Sequence, residues 1–150
     1  MLGKYWLRVL IVNRLNVMAY NYGYNLVIKG LGGSLLDALE LANLLIESIE
    51  DMKGVDILLL DMQGLTVIAD YFLLCTSTNE RQLRAIAEAV REDAKEKGDT
   101  GGAKVEGDFR SGWVLVDFGD VMVHVFSEEK RSYYNLEELW HEGKVVIRMP

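Results

Sequence analysis

From residue 34 onward the apolar positions change period several times, and each change marks an element. Leu35, Leu39, Ala42, Leu45 or Ile46, Ile49 and Met52 return every three or four residues until Gly54, which predicts a helix with one buried stripe. Ser34 with Asp37 three residues later has the spacing of a capping box and is expected to open it. Residues 55–61 and 71–76 are short, almost continuous apolar runs between turn residues, the pattern of strands covered on both faces inside a sheet. A second helix follows, with Thr78 as its expected cap and Leu83, Ile86, Ala87, Val90 and Ala94 as its stripe. Lys95, Lys97 and Gly98 close it.

Five glycines between residues 98 and 112 predict a loop with one short strand near residues 103–105. Residues 113–118 and 121–126 flank Gly119-Asp120, a two-residue connection whose glycine permits the positive φ of a tight hairpin. Ser127 before Glu128 and Glu129 starts a short helical turn, and Asn135 with Glu138 has the spacing of another capping box ahead of Leu136, Leu139 and Trp140. Residues 144–149 form a last edge strand. The expected architecture is α/β or α+β: a single domain with one mixed, mostly central β-sheet flanked by helices.

Charge divides the chain. All twenty-three acidic residues lie at Asp37 or later, whereas four of the sixteen basic ones (Lys4, Arg8, Arg14 and Lys29) precede it. The body therefore holds twelve cations against twenty-three acids, a net charge of minus eleven. A field of that sign repels nucleic acid and steers basic protein surfaces inward. Residues 1–34 are acid-free, rich in Tyr and Asn, and end in Gly30, Gly32 and Gly33. They read as an N-terminal extension: an appended hairpin (residues 7–12 and 26–29), a targeting leader, or sequence upstream of a later start. No apolar run approaches the roughly 20 residues of a membrane span. The lone Cys75 has no disulfide partner, and with only two histidines beside it no zinc set is expected; a reducing, cytoplasmic setting follows, or an organellar one if the extension is a transit peptide.

Few residues suggest catalysis. Gly30-Leu31-Gly32-Gly33-Ser34-Leu35 follows an apolar run and opens a helix, but Leu35 takes the third glycine position of a dinucleotide fingerprint. A nucleotidyltransferase-like or nucleotide-binding alternative would use Gly32 to Ser34 with Asp117 or Asp120, yet those acids are three apart across a turn and no paired carboxylates share a strand. His124 shares a strand face with Met122 and Phe126 and is expected as a core histidine with one hydrogen bond. Cys75, inside an apolar strand, is expected to be inert. No catalytic residue, cofactor or metal is assigned. What remains is a set of aromatic and acidic residues near turns: Trp113, Asp117, Phe118, Gly119, Asp120, Tyr133, Tyr134, Glu137 and Trp140. Rings supply contact area while carboxylates meet Lys or Arg, so this set suits an interface with a basic partner; plain core packing is its other reading, above all for Trp113 and Trp140.

Several motifs resemble the ribosomal silencing factors, also called Iojap-like proteins. They are Ala38-Leu39, Lys53-Gly54 before Asp56-Ile57, Ala69-Asp70-Tyr71-Phe72, Thr76-Ser77-Thr78-Asn79-Glu80-Arg81-Gln82, Glu106-Gly107, the run from Gly112-Trp113 through Asp117-Phe118-Gly119-Asp120-Val121 to His124-Val125-Phe126, then Arg131, Tyr134 and Leu136-Glu137-Glu138-Leu139-Trp140. Ser77, Asn79 and Phe118 depart from the residues common there, and residues 1–34 have no counterpart. The resemblance covers residues 35 to about 142 and implies a domain over 35–150 with a sheet distantly like that of nucleotidyltransferases. It implies a non-enzymatic repressor that binds the large ribosomal subunit through its protein L-fourteen, blocks small-subunit joining under nutrient limitation, and forms a homodimer. The partner-binding residues expected on this basis are Trp113, Asp117, Phe118, Gly119, Asp120, His124, Arg131, Tyr134, Glu137 and Trp140.

Overall fold

The structure is a computed structural model and describes residues 36–98 and 102–150. The expected N-terminal hairpin, the glycine junction and Ser34 lie outside those residues. The elements run α1 (Ala38–Asp51), β1 (Val55–Asp61), β2 (Tyr71–Ser77), α2 (Glu80–Glu96), β3 (Lys104–Glu106), a 3₁₀ turn (Phe109–Ser111), β4 (Trp113–Asp117), β5 (Val121–Ser127), α3 (Glu128–Tyr134), α4 (Leu136–Leu139) and β6 (Lys144–Met149). They build the expected single-domain α/β fold around one six-stranded mixed sheet in the order β3-β4-β5-β2-β1-β6. Among the described strands only β2 and β5 pair in parallel, the chain passing between them through α2, β3 and β4; every other neighbouring pair is antiparallel.

Alternation along the strands decides what each face buries. On one face Ile57, Leu59, Leu73, Cys75, Val114, Val116, Val123 and Val125 meet Leu45 and Ile49 of α1 and Leu83, Ile86 and Val90 of α2. On the other, Leu58, Leu60, Phe72, Leu74, Met122, His124 and Phe126 are buried, with Leu136 and Met62 buried alongside. Strand β2 is buried at every position, which explains its unbroken apolar run. Strand β6 lies on the outer side of β1, as expected for a last edge strand. Strand β1 carries a bulge between Val55 and Leu58, where Asp56 adopts φ +49°, a conformation Asp tolerates better than most residues.

The cap assignments need correction. Asp37, not Ser34, caps α1: its carboxylate accepts the Glu40 N–H at 2.8 Å, and Glu40 Oε2 accepts the Asp37 N–H at 3.0 Å. A capping box needs a side chain at its third position long enough to reach back, and Glu40 has the methylene that Asp37 lacks. Helix α2 is capped by Asn79, whose side chain accepts the Gln82 N–H at 2.8 Å. Thr78, one residue too early, gives its N–H and hydroxyl to Gln82 Oε1 instead. Asn135 makes no side-chain cap to α4. It sits at φ +42°, ψ +58° and ends α3 by donating its N–H to Arg131 O at 3.0 Å. Two helices meeting without a linker require one left-handed residue, and Asn is the best non-glycine choice. The short strand is Lys104–Glu106, one residue beyond the expected position, which sets Val105 opposite Val116.

Candidate functional site: the hairpin face

The β4–β5 hairpin forms as expected, with Phe118 N–H donating to Val121 O at 3.0 Å. Gly119 has φ +88°, and Asp120 is not among the residues with positive φ. Positive φ at the first turn residue alone is the pattern of a type II′ turn, which matches the twist of the flanking strands. Trp113, Leu115 and Asp117 alternate onto the same face as Met122, His124 and Phe126, so the hairpin carries most of the expected site on one side.

At the hairpin's open end the Trp113 indole lies on Phe126 with ring centres 5.2 Å apart and planes at 20°, and it tilts against Tyr134 at 4.6 Å. Its Nε1–H donates to His124 Nδ1 at 3.3 Å. His124, 6% exposed and edge-on to Phe72 at 5.2 Å, thus occupies the core position expected for it and fixes the indole's orientation. Trp113 itself remains half-buried. The backbone beside it is tightly set: Gly112 has φ +79°, its carbonyl accepts the Ser127 N–H at 2.7 Å, and a Cβ there would lie 2.6 Å from Ser127 Oγ.

Arg131 and Glu137 form a staple. Arg131 Nε and Nη2 meet Glu137 Oε1 at 2.7 and 2.6 Å, and Nη1 donates to Thr76 Oγ1 at 3.2 Å. This pair fastens α3 and α4 to β2. Trp140 stands edge-on to Phe72 at 5.6 Å, half-buried, its indole N–H enclosed without an acceptor among the described residues.

The turn residues lie at the opposite end of β4, about 13 Å away at ~3.3 Å per residue. Asp117, 8% exposed, accepts the Gly119 N–H at 2.8 Å and so holds the turn. Phe118 packs against the core beneath α1 and α2. The Asp120 carbonyl accepts the N–H groups of Asp70 and Tyr71 at 2.8 and 3.0 Å. The expected residues therefore lie toward two ends of the hairpin rather than in a single cluster, and Phe118 is on the helix-covered face of the sheet. Phe72, Thr76 and Phe126 join them; strand parity in the sequence could have identified all three.

Electrostatics separates inert from interacting groups. Burial pushes the Cys75 thiol up to about 12, with Arg131 pulling weakly downward, so Cys75 is the inert thiol expected. The Tyr71 phenol is raised by desolvation and then by Asp61, Asp70 and Asp37. Among the described residues no group of three or more His, Cys, Asp or Glu side chains is placed to hold a metal ion, and no helix is long and apolar enough to cross a membrane.

A family model described as "Ribosomal silencing factor during starvation" matches residues 36–149. The chain is 50% identical over 97 residues to Ribosomal silencing factor RsfS of Bacillus subtilis, covering 65% of this chain and 81% of that protein. It is 41% identical over 107 residues to the RsfS of Halalkalibacterium halodurans, covering 71% and 91%. A crystal structure of a Chromobacterium violaceum protein superposes with a TM-score of 0.62 at 38% identity, covering 71% of this chain and 88% of that one. The chain belongs to the ribosomal silencing factor family, a class of regulatory proteins.

Proposed function

We propose that the chain represses translation by binding the large ribosomal subunit through its protein L-fourteen, so that the small subunit cannot join when nutrients are scarce. The action is steric and needs no catalytic group. It takes place in the cytoplasm, or in an organelle if residues 1–34 are a transit peptide, through the domain of residues 35–150, with residues 1–34 an accessory or adventitious extension. The free protein forms a homodimer, which size-exclusion chromatography with light scattering tests directly. The partner-binding residues are those of the hairpin and the helices beside it: Trp113 and Tyr134 in direct contact, Asp117, Phe118, Gly119 and Asp120 shaping the far turn, and His124, Arg131, Glu137 and Trp140 holding the aromatic end in place.

The observation that carries this reading is the half-buried Trp113, fixed by His124, Phe126 and Tyr134 at the edge of a body with net negative charge. An ordered indole loses little side-chain entropy on docking, and the net negative charge of the body favours a basic protein over rRNA. Removing such an aromatic anchor costs about 2 kcal/mol, roughly thirtyfold in affinity. Trp113→Ala, shown folded by circular dichroism, should therefore leave the large-subunit fraction in sedimentation at concentrations where the parent stays bound. Subunit-joining assays should lose inhibition in parallel. Undiminished co-sedimentation of the variant would show Trp113 to be a packing residue and remove it from the interface.

A further inference from the structure

The connection between β1 and β2, residues 62–70, is tied down by its own backbone. Met62 N–H donates to Asp70 O at 2.8 Å, while Leu65 and Thr66 N–H turn back to Met62 O at 3.0 and 3.3 Å. Ile68 N–H reaches the Thr66 hydroxyl at 3.2 Å, and the bonds from Asp70 and Tyr71 to Asp120 O fasten the loop to the hairpin turn. Met62, Ile68 and Ala69 are buried. Leu65 and Val67, on the same loop, are 42% and 60% exposed.

One exposed apolar side chain needs no explanation. Two of them at i and i+2, on a loop held by backbone hydrogen bonds, are ordered before any partner arrives, which lowers the entropy lost on docking. Their surroundings are acidic. Asp61 stands opposite Tyr71 in the β1–β2 ladder, Asp61, Asp70 and Asp37 all act on the Tyr71 phenol, and Asp120 is joined to the same place by two hydrogen bonds. Lys144, opposite Asp61 in β6, is the cation nearest in register.

We propose that Leu65 and Val67 are the apolar anchor of a second docking area, for a basic protein surface whose Lys and Arg side chains meet Asp61, Asp70 and Asp120. The inference rests on the ribosome-bound reading above and adds to it a contact that includes the Gly119-Asp120 end of the hairpin. A second copy of this acidic chain would bring like charges together, and nucleic acid would be repelled by them.

The test is sedimentation with purified large subunits, comparing the parent with Leu65→Ser/Val67→Ser and, as a separate variant, Val67→Lys, which places a cation against the basic partner. Leu39→Ser is the control, at a position on α1 expected in the buried stripe but 40% exposed. Both loop variants should bind at least about tenfold more weakly while keeping the parent's circular dichroism and melting transition, and the control should bind as the parent does. Parent-like binding by folded loop variants overturns the docking area and leaves the Trp113 reading intact. Loss of self-association without loss of subunit binding assigns the loop to a second copy and equally overturns it. A parent that does not sediment with large subunits overturns both readings.

Discussion

Cys75 lies in β2 with no exposed surface, and its thiol is raised from an ordinary 9.0 to about 12, first by burial and against a weaker opposing pull from Arg131. Below pH 9 both folded and unfolded chains keep the proton. As pH rises above 9 the unfolded chain releases it while the folded chain does not, so stability falls by up to about 1.4 kcal/mol per pH unit until the folded thiol also titrates. Tyr71, raised from 10.0, adds a loss of the same sign above that value. Urea midpoints should therefore drop between pH 8 and 10 for the parent and drop less for Cys75→Val; identical pH profiles would remove the thiol from the account. A maleimide should leave Cys75 unmodified in the folded protein at pH 7.5 and label it in urea. An apolar run around a lone cysteine made this legible from the sequence. The Trp113–His124 bond was legible only in half: the core histidine was foreseeable, but its partner depends on a pairing across the hairpin, Trp113 opposite Phe126 and Leu115 opposite His124, that a linear pattern does not display.

At the scale of elements, Gln82 joins pieces that local pattern treats separately. Its Oε1 accepts from Thr78 N–H and hydroxyl at 2.7 and 2.9 Å, while its Nε2 donates to the carbonyls of Met52 and Lys53 at 3.0 and 2.7 Å. The end of α1 is thereby tied to the start of α2, and two carbonyls beyond the α1 helical ladder gain a donor. Gln82→Ala should destabilise the fold by about 1–2 kcal/mol, a typical cost of leaving polar groups without partners. Denaturant titration measures it, and a change below about 0.3 kcal/mol would mean that water satisfies those carbonyls as well as Gln82 does. Helix positions and the buried strands β1, β2, β4 and β5 were legible because the apolar pattern reports burial, whereas the largely exposed β3 was expected one residue early. The caps were less legible. Ser34, Thr78 and Asn135 each have the right chemistry at a plausible spacing, but which residue caps depends on φ, ψ and reach: Glu40 is long enough to close the box on Asp37, and Asn135 is consumed by the left-handed turn between α3 and α4.

For the whole molecule, the charge of minus eleven over the body acts at longer range than any single contact. Carboxylates at the rim of an interface mainly speed encounter, and salt screens them with a Debye length of about 10 Å at 0.1 M, whereas an aromatic anchor is nearly indifferent to salt. The arrangement of the face turns this into separable outcomes. Trp113 stands at one end of β4, and Asp120, with Asp61 and Asp70 beside it, stands at the other. Large-subunit affinity of the parent should fall by on the order of tenfold between 50 and 300 mM monovalent salt, chiefly through a slower association rate. Asp120→Asn should flatten that dependence and narrow the difference between low and high salt. Trp113→Ala should shift the whole curve downward without changing its slope, and its loss should appear as faster dissociation. Surface-based kinetics over a salt series distinguishes the three chains. A parent affinity independent of salt would mean that the negative body serves solubility alone, and that the partner is chosen by shape and apolar area.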